Sequence, residues 1–189
     1  GTALNPFTGH YMELQGDAAA APTEPGTAYC FGHLGSGNIC PCGNENDNSD
    51  TEGAGCANAY FAAGAKLGAT GVASITADTV MFQGSRGQPS NSSMFFQANN
   101  NKDGAFIWLD NGVQCAGGGL IRLKVRLNDA NGDVDSGNLV VTDRSAHFNH
   151  VIVAGETLYY QWWIRENADI CQLDDDANTS NGYEITWTP

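Results

Sequence analysis

The stretch Thr157-Leu158-Tyr159-Tyr160-Gln161-Trp162-Trp163-Ile164-Arg165-Glu166 holds two of the four tryptophans and two of the six tyrosines in a chain of 189 residues. Aromatic and β-branched residues favour a strand, and successive strand side chains point to opposite faces. One face then carries Leu158, Tyr160, Trp162 and Ile164; the other carries Tyr159, Gln161, Trp163 and Arg165. A strand of a two-layer protein normally has one apolar face and one wet face. Large aromatics on both predict that one face is core, while the other is covered by a further element or offered to a partner.

The rest of the chain supplies partners for such a strand. Downstream, Asn167–Asn181 reads as an acidic loop and Tyr183–Thr188 as a strand carrying Trp187. Upstream, Leu139–Thr142 and Phe148–Val153 read as strands. Leu120–Leu127 alternates Arg122, Lys124 and Arg126 with Ile121, Leu123, Val125 and Leu127, which predicts a half-buried strand with three bases on one face. Ala69–Ala77, Thr79–Gln83, Ser93–Gln97 and Ala105–Leu109 are further strands, and a short helical turn is expected within Cys56–Leu67. Short strands punctuated by Gly, Asn and Ser predict an all-β, antiparallel, disulfide-linked β-sandwich, jelly-roll-like, with long Gly/Asn-rich loops. It occupies residues 30–189 as a single domain. Residues 1–29 form an N-terminal arm, with a strand at Phe7–Leu14 and a linker containing Ala18–Ala21, Pro22 and Pro25. An arm of this kind folds back on its own domain or adds to a neighbour's sheet.

Twenty-one acidic against eight basic side chains give a net charge of -13. That charge repels nucleic acid and anionic lipid, and suits divalent cations or simple extracellular solubility. No apolar run reaches the roughly 18 residues of a membrane-spanning helix. Six cysteines among many Gly, Asn, Ser and Thr indicate disulfides, hence an exported protein whose signal peptide has been removed, secreted or held at the cell surface. Cys40-Pro41-Cys42 is too tight for a Cys-x-x-Cys zinc pair, and the four histidines complete no zinc pattern. Of the many pairings of Cys30, Cys40, Cys42, Cys56, Cys115 and Cys171, the preferred set is Cys30–Cys40, Cys42–Cys56 and Cys115–Cys171.

Several phrases recur in a fixed order: Cys30-Phe31-Gly32, Cys40-Pro41-Cys42-Gly43-Asn44, Gly55-Cys56-Ala57-Asn58, Phe95-Phe96-Gln97, Cys115-Ala116-Gly117-Gly118, Tyr160–Arg165 and Asn181-Gly182-Tyr183-Glu184-Ile185-Thr186-Trp187. Together they resemble a six-cysteine secreted domain found near the C-terminus of many large exported bacterial proteins. The resemblance spans about residues 30–189 and leaves the arm outside. It implies export and a β-fold, brings no catalytic activity with it, and assigns the cysteines, Gln161, Trp163 and Arg165 to a shared scaffold. This chain departs from the pattern in its acidic loop 44–52 and in Asp174-Asp175-Asp176.

Candidate sites follow from residue type. Asn44, Asp47, Asp50 and Glu52 gather oxygen donors in a loop anchored at Cys42 and Cys56, suited to calcium, which takes six to eight oxygens. A solvated loop of Asx turns is the competing account. Asp129, Asn131, Asp133 and Asp135 imitate the opening of an EF-hand loop, but the glycine falls early and no glutamate follows at the twelfth place. Asn131-Gly132 reads better as a type I′ hairpin turn. Asp174-Asp175-Asp176 with Glu166, Asp169 and Asn178 is a third acidic cluster. No Gly-x-Ser-x-Gly elbow is present, and His147 and His150 would face opposite ways on a strand, so no enzyme is expected. Exposed aromatics on a sandwich stack on sugars, which nominates Tyr159 and Trp108. With Trp163 assigned to the scaffold, Tyr160 and Trp162 become the expected binding residues, and the N-terminal arm their first candidate cover. The expectation is a non-catalytic extracellular structural or adhesive module. It would self-assemble into a surface layer or fibre through its arm, with copies of itself or other cell-surface or matrix components as partners. The alternative is a calcium-dependent carbohydrate-binding module.

Overall fold

The computed structural model describes residues 24–47, 53–168, 170–171 and 176–189. The expected strand at Phe7–Leu14, Asp50, Glu52, Asp169 and Asp174-Asp175 lie outside the described residues.

The aromatic stretch is a strand, β11 (Thr157–Arg165), near the middle of an antiparallel sheet. That sheet has the order β1-β12-β11-β4-β9, with β1 (Thr27–Tyr29), β4 (Ser92–Ala98), β9 (Ile121–Leu127) and β12 (Ala177–Thr186). A second antiparallel sheet has the order β10-β3-β2, from β2 (Lys66–Thr70), β3 (Met81–Ser85) and β10 (Val134–Asp135). Leu67, Ala69 and Phe82 of the smaller sheet share one core with Leu158, Tyr160, Trp162, Ile164, Phe95, Leu123, Tyr183 and Ile185 of the larger. The architecture is therefore the expected all-β sandwich. Between β4 and β9 an excursion carries β5 (Asn100–Asn101), β6 (Trp108–Leu109), β7 (Gly112–Val113) and β8 (Ala116–Gly117), paired as β5–β8 and β6–β7. Its Leu109 and Ala116 pack on Phe96, Met94, Tyr159 and Trp163, so it covers part of the outer face of the larger sheet. Thr27–Tyr29, expected in the arm, pair with Glu184–Gly182 and belong to this sheet.

The element order departs from the sequence expectation where polar residues are buried or tertiary contacts override local propensity. β12 begins at Ala177, inside the expected loop. Asn178-Thr179-Ser180-Asn181 look like loop residues yet are buried. Each side chain finds a partner: Asn178 donates to Ala57 O (3.0 Å), Thr179 to Val113 O (2.9 Å), Ser180 to Asn181 O (2.7 Å) and Asn181 to Leu67 O (3.1 Å). Leu139–Thr142 and Phe148–Val153 are not strands; the short helix α1 (Val141–His147) begins within the first and ends just before the second. Its start is capped from a distant loop, with the Asp78 carboxylate accepting from the Thr142 N–H (2.8 Å) and hydroxyl (3.2 Å). The expected helical turn within Cys56–Leu67 is absent; the chain turns there and enters β2 at Lys66.

The disulfides are Cys30–Cys115, Cys40–Cys56 and Cys42–Cys171, which corrects the expected pairing throughout. Pairing follows the approach of Cα atoms, here 5.3–5.9 Å, and not nearness in sequence. β1 brings Cys30 against the excursion, where the Tyr29 hydroxyl donates to Cys115 O (2.8 Å). Two bridges rather than one join distant segments, spanning 85 and 129 residues. Three bridges fit an oxidising, extracellular setting. No helix among the described residues is long and apolar enough to cross a membrane.

Candidate binding surfaces

Tyr160 and Trp162 are not binding residues: they are 1% and 0% exposed and form the centre of the core. The smaller sheet covers them. Phe82 lies 4.8 Å from the Tyr160 ring, and Phe95 stacks on Trp162 at 6.1 Å. The Tyr160 hydroxyl accepts from Trp187 Nε1 at 3.0 Å. The indole of Trp162 fits because β3 presents glycine beneath it; a Cβ on Gly84 would stand 2.8 Å from three ring atoms. The sequence showed two aromatic faces, but it did not show that the flat cover for one of them is a glycine in another sheet.

The opposite face of β11 is the partly open one. Gln161 is buried there and fully bonded, its Oε1 accepting from Cys115 N (3.0 Å) and Ala116 N (3.3 Å), its Nε2 donating to Val113 O and Ser180 O (both 2.8 Å). Trp163 is half-buried, and its indole N–H donates to the Asp110 carboxylate at 2.6 Å. Tyr159, also half-buried, meets Tyr29 edge-on at 5.8 Å. Beyond Trp163 the excursion stops, and Met94, Leu109, Leu120, Val125 and Trp163 line an apolar trough of about 440 Å³, with Arg122 at its side. The trough reaches β9, the last strand of the sheet.

The alternation read along Leu120–Leu127 fails at its midpoint. A register shift against β4 at Phe95/Phe96 inserts a bulge, after which Val125 pairs with Met94 and Leu127 with Ser92. One inserted residue reverses the facing of everything that follows. Val125 and Leu127, expected in the core, are therefore 64% and 69% exposed, and the three bases do not share one face. Arg126 turns to β10, where it pairs with Asp135 at 3.4 Å.

Trp108 is 54% exposed on the excursion, next to Phe106 at 59%. Its N–H donates to Ile39 O (3.0 Å), and the two loops are tied again by Asn38 Nδ2 to Asp103 (2.8 Å) and Gly104 N to Asn38 Oδ1 (3.0 Å). Phe106 holds φ 52°, in the left-handed region that costs a non-glycine residue about 1–3 kcal/mol.

Several of the described oxygen-rich side chains are committed to hydrogen bonds within the protein. Asn44 donates to Ala57 O and Asn111 O (both 2.9 Å), while Asp47 is exposed. Asp129 accepts from Asn131 N (2.8 Å) and Asp133 N (2.9 Å), and the bond from Asp133 leads in holding its carboxyl below the usual range. Asp133 accepts from Arg86 N (3.3 Å), and Asp135 accepts from Gly137 N (2.8 Å). Asn131-Gly132 is not a type I′ hairpin, because it joins β9 and β10 of different sheets and only Gly132 has positive φ (83°). Among the described residues no group of three or more His, Cys, Asp or Glu is placed to hold a metal ion. His147 lies on α1, whereas His150 bonds Glu156 at 2.8 Å.

Comparison of the chain with protein-family models, with curated proteins and with solved structures returns no match.

Proposed function

We propose that this chain is a non-catalytic extracellular structural or adhesive module that assembles with copies of itself. The observation that carries this reading is the apolar trough of Met94, Leu109, Leu120, Val125 and Trp163 beside the excursion on the outer face of the larger sheet. Contiguous apolar surface rimmed by polar residues marks a contact site, and disulfide bracing suits a module exposed outside the cell. Multi-angle light scattering across a concentration series is the test. Concentration-dependent oligomers are expected; a monomer at every concentration defeats the reading.

A second reading, calcium-dependent carbohydrate binding, is favoured by Trp108, whose ring is more than half exposed while its N–H is pinned. A polysaccharide panel with calcium and with EDTA tests it. Binding lost in Trp108→Ala supports this reading, and no binding to any member in either condition removes it.

A further inference from the structure

Resting on the assembly reading above, we infer that the trough beside β9 receives the apolar part of the N-terminal arm, residues 4–14, of a neighbouring copy. Three observations converge on this occupant.

The first is chemical fit. The trough wall is apolar, and Arg122 stands at its side. Arg122, Lys124, Arg126 and Arg144 are half of the eight basic groups in the chain, and all lie on β9 or against it; Arg144 Nε donates to Arg122 O at 3.1 Å. Of these, Arg126 is already matched by Asp135. Arg122 is the one of them that lines the trough, on a protein of charge -13. Residues 1–23 contain Leu4, Phe7, Tyr11, Met12 and Leu14, the acids Glu13 and Asp17, and no Lys or Arg. Residues 4–14, an apolar segment with the one carboxylate of Glu13, complement an apolar trough with a guanidinium. A symmetric antiparallel contact of two β9 strands in full register would instead set Lys124 against Lys124 and Arg122 against Arg126, and like charges directly opposite are destabilising.

The second is the open edge. Among the described residues β9 pairs with β4 on one side only and ends the sheet order. A terminal strand leaves main-chain donors and acceptors for an extended segment to meet, here apart from Arg122 O, which already accepts from Arg144 Nε, while pockets beside it take alternate side chains.

The third is chain path. The described chain enters at Glu24 beside β1, which is the opposite end of the same sheet. Four strand spacings separate β1 from β9, about 19 Å, and residues 15–23 extended reach about 30 Å. Length alone therefore permits the arm's own trough. On the outer face the excursion, clamped to β1 by Cys30–Cys115 and the Tyr29–Cys115 hydrogen bond and packed on Phe96, is an obstacle to a straight run from β1 to β9. The arm of another copy has no such obstacle. Donor and acceptor surfaces then differ, so the contact is head-to-tail and each added copy presents a fresh trough.

The test uses the full-length chain. Val125→Glu places a carboxylate in the trough at a position already 64% exposed; Val151→Glu, at 73% exposure outside it, is the control. Light scattering gives the association constant, and hydrogen exchange of residues 4–14 is followed over the same concentrations. The inference expects at least a tenfold loss of association in Val125→Glu, none in Val151→Glu, and protection of residues 4–14 that appears with assembly and disappears in Val125→Glu. Association unchanged in Val125→Glu overturns the inference and leaves the assembly reading standing. A wild-type monomer overturns both, including one in which residues 4–14 are protected at infinite dilution, which would mean an arm bound to its own domain.

Discussion

Replacing Gln161 with leucine asks whether one buried side chain fastens the central strand to the disulfide-bearing excursion. Leucine matches glutamine in bulk but can bond nothing. Two main-chain groups would be stranded outright, Cys115 N and Ser180 O, together with the weaker partner Ala116 N. Val113 O keeps a donor, the Thr179 hydroxyl at 2.9 Å. A buried group left unsatisfied costs about 1–3 kcal/mol, so the loss should be about 4 kcal/mol. That is a large share of the 5–15 kcal/mol by which domains are stable. Guanidinium unfolding with disulfides intact, followed by tryptophan fluorescence, measures it. Gln161→Glu sharpens the test. The introduced carboxyl can accept from Cys115 N, but when ionised it faces Val113 O and Ser180 O without a proton to give. Burial and those carbonyls should raise its folded pKa above the unfolded value. The native state then binds the proton more tightly, so this variant should lose stability as pH rises from 4 to 8 relative to wild type and regain it on acidification. A cost below about 1 kcal/mol for Gln161→Leu, or a pH-independent Gln161→Glu, would refute the latch.

Gly84→Ala should cost about 1–3 kcal/mol by overpacking, because its Cβ would sit 2.8 Å from the Trp162 ring. Gly68→Ala, in the same sheet with nothing within 4 Å, should be neutral or slightly stabilising by thermal melt. Burial pushes the Tyr29 and Tyr160 hydroxyls well above the usual phenol range. The unfolded chain therefore sheds those protons first, and stability intact below about pH 10 should fall above it, with both phenols ionising only as the protein unfolds in an absorbance titration at about 295 nm. Peptide mapping without reduction should recover Cys30–Cys115, Cys40–Cys56 and Cys42–Cys171. Replacing both Cys42 and Cys171 by serine should cost about 4 kcal/mol in a denaturant titration, since that bridge closes a long loop.

Fold class was readable because strand side chains alternate with a period of two, and that alternation survives in much of β11 and at the end of β12. Reading failed where a contact from elsewhere in the chain set the outcome. Asn178–Asn181 looked like a loop because polar side chains usually seek water; here Ala57, Val113 and Leu67 supply the bonds that water would. The start of α1 looked like the end of a strand because the carboxylate that caps it, Asp78, is 64 residues away. The bulge in β9 reversed Val125 and Leu127 and put Val125 in the trough, while Phe82 and Gly84 of the smaller sheet closed the face of Tyr160 and Trp162.

Taken alone, the sequence determined a disulfide-linked all-β protein organised on an aromatic strand with two apolar faces, because residue type and period are local properties. Only the tertiary structure decided which face is core and which cysteines pair. Both depend on what the chain places opposite them: Gly84 under Trp162, and Cys115 beside Cys30. Those distances are set by the packing of segments far apart in sequence, which no local pattern encodes.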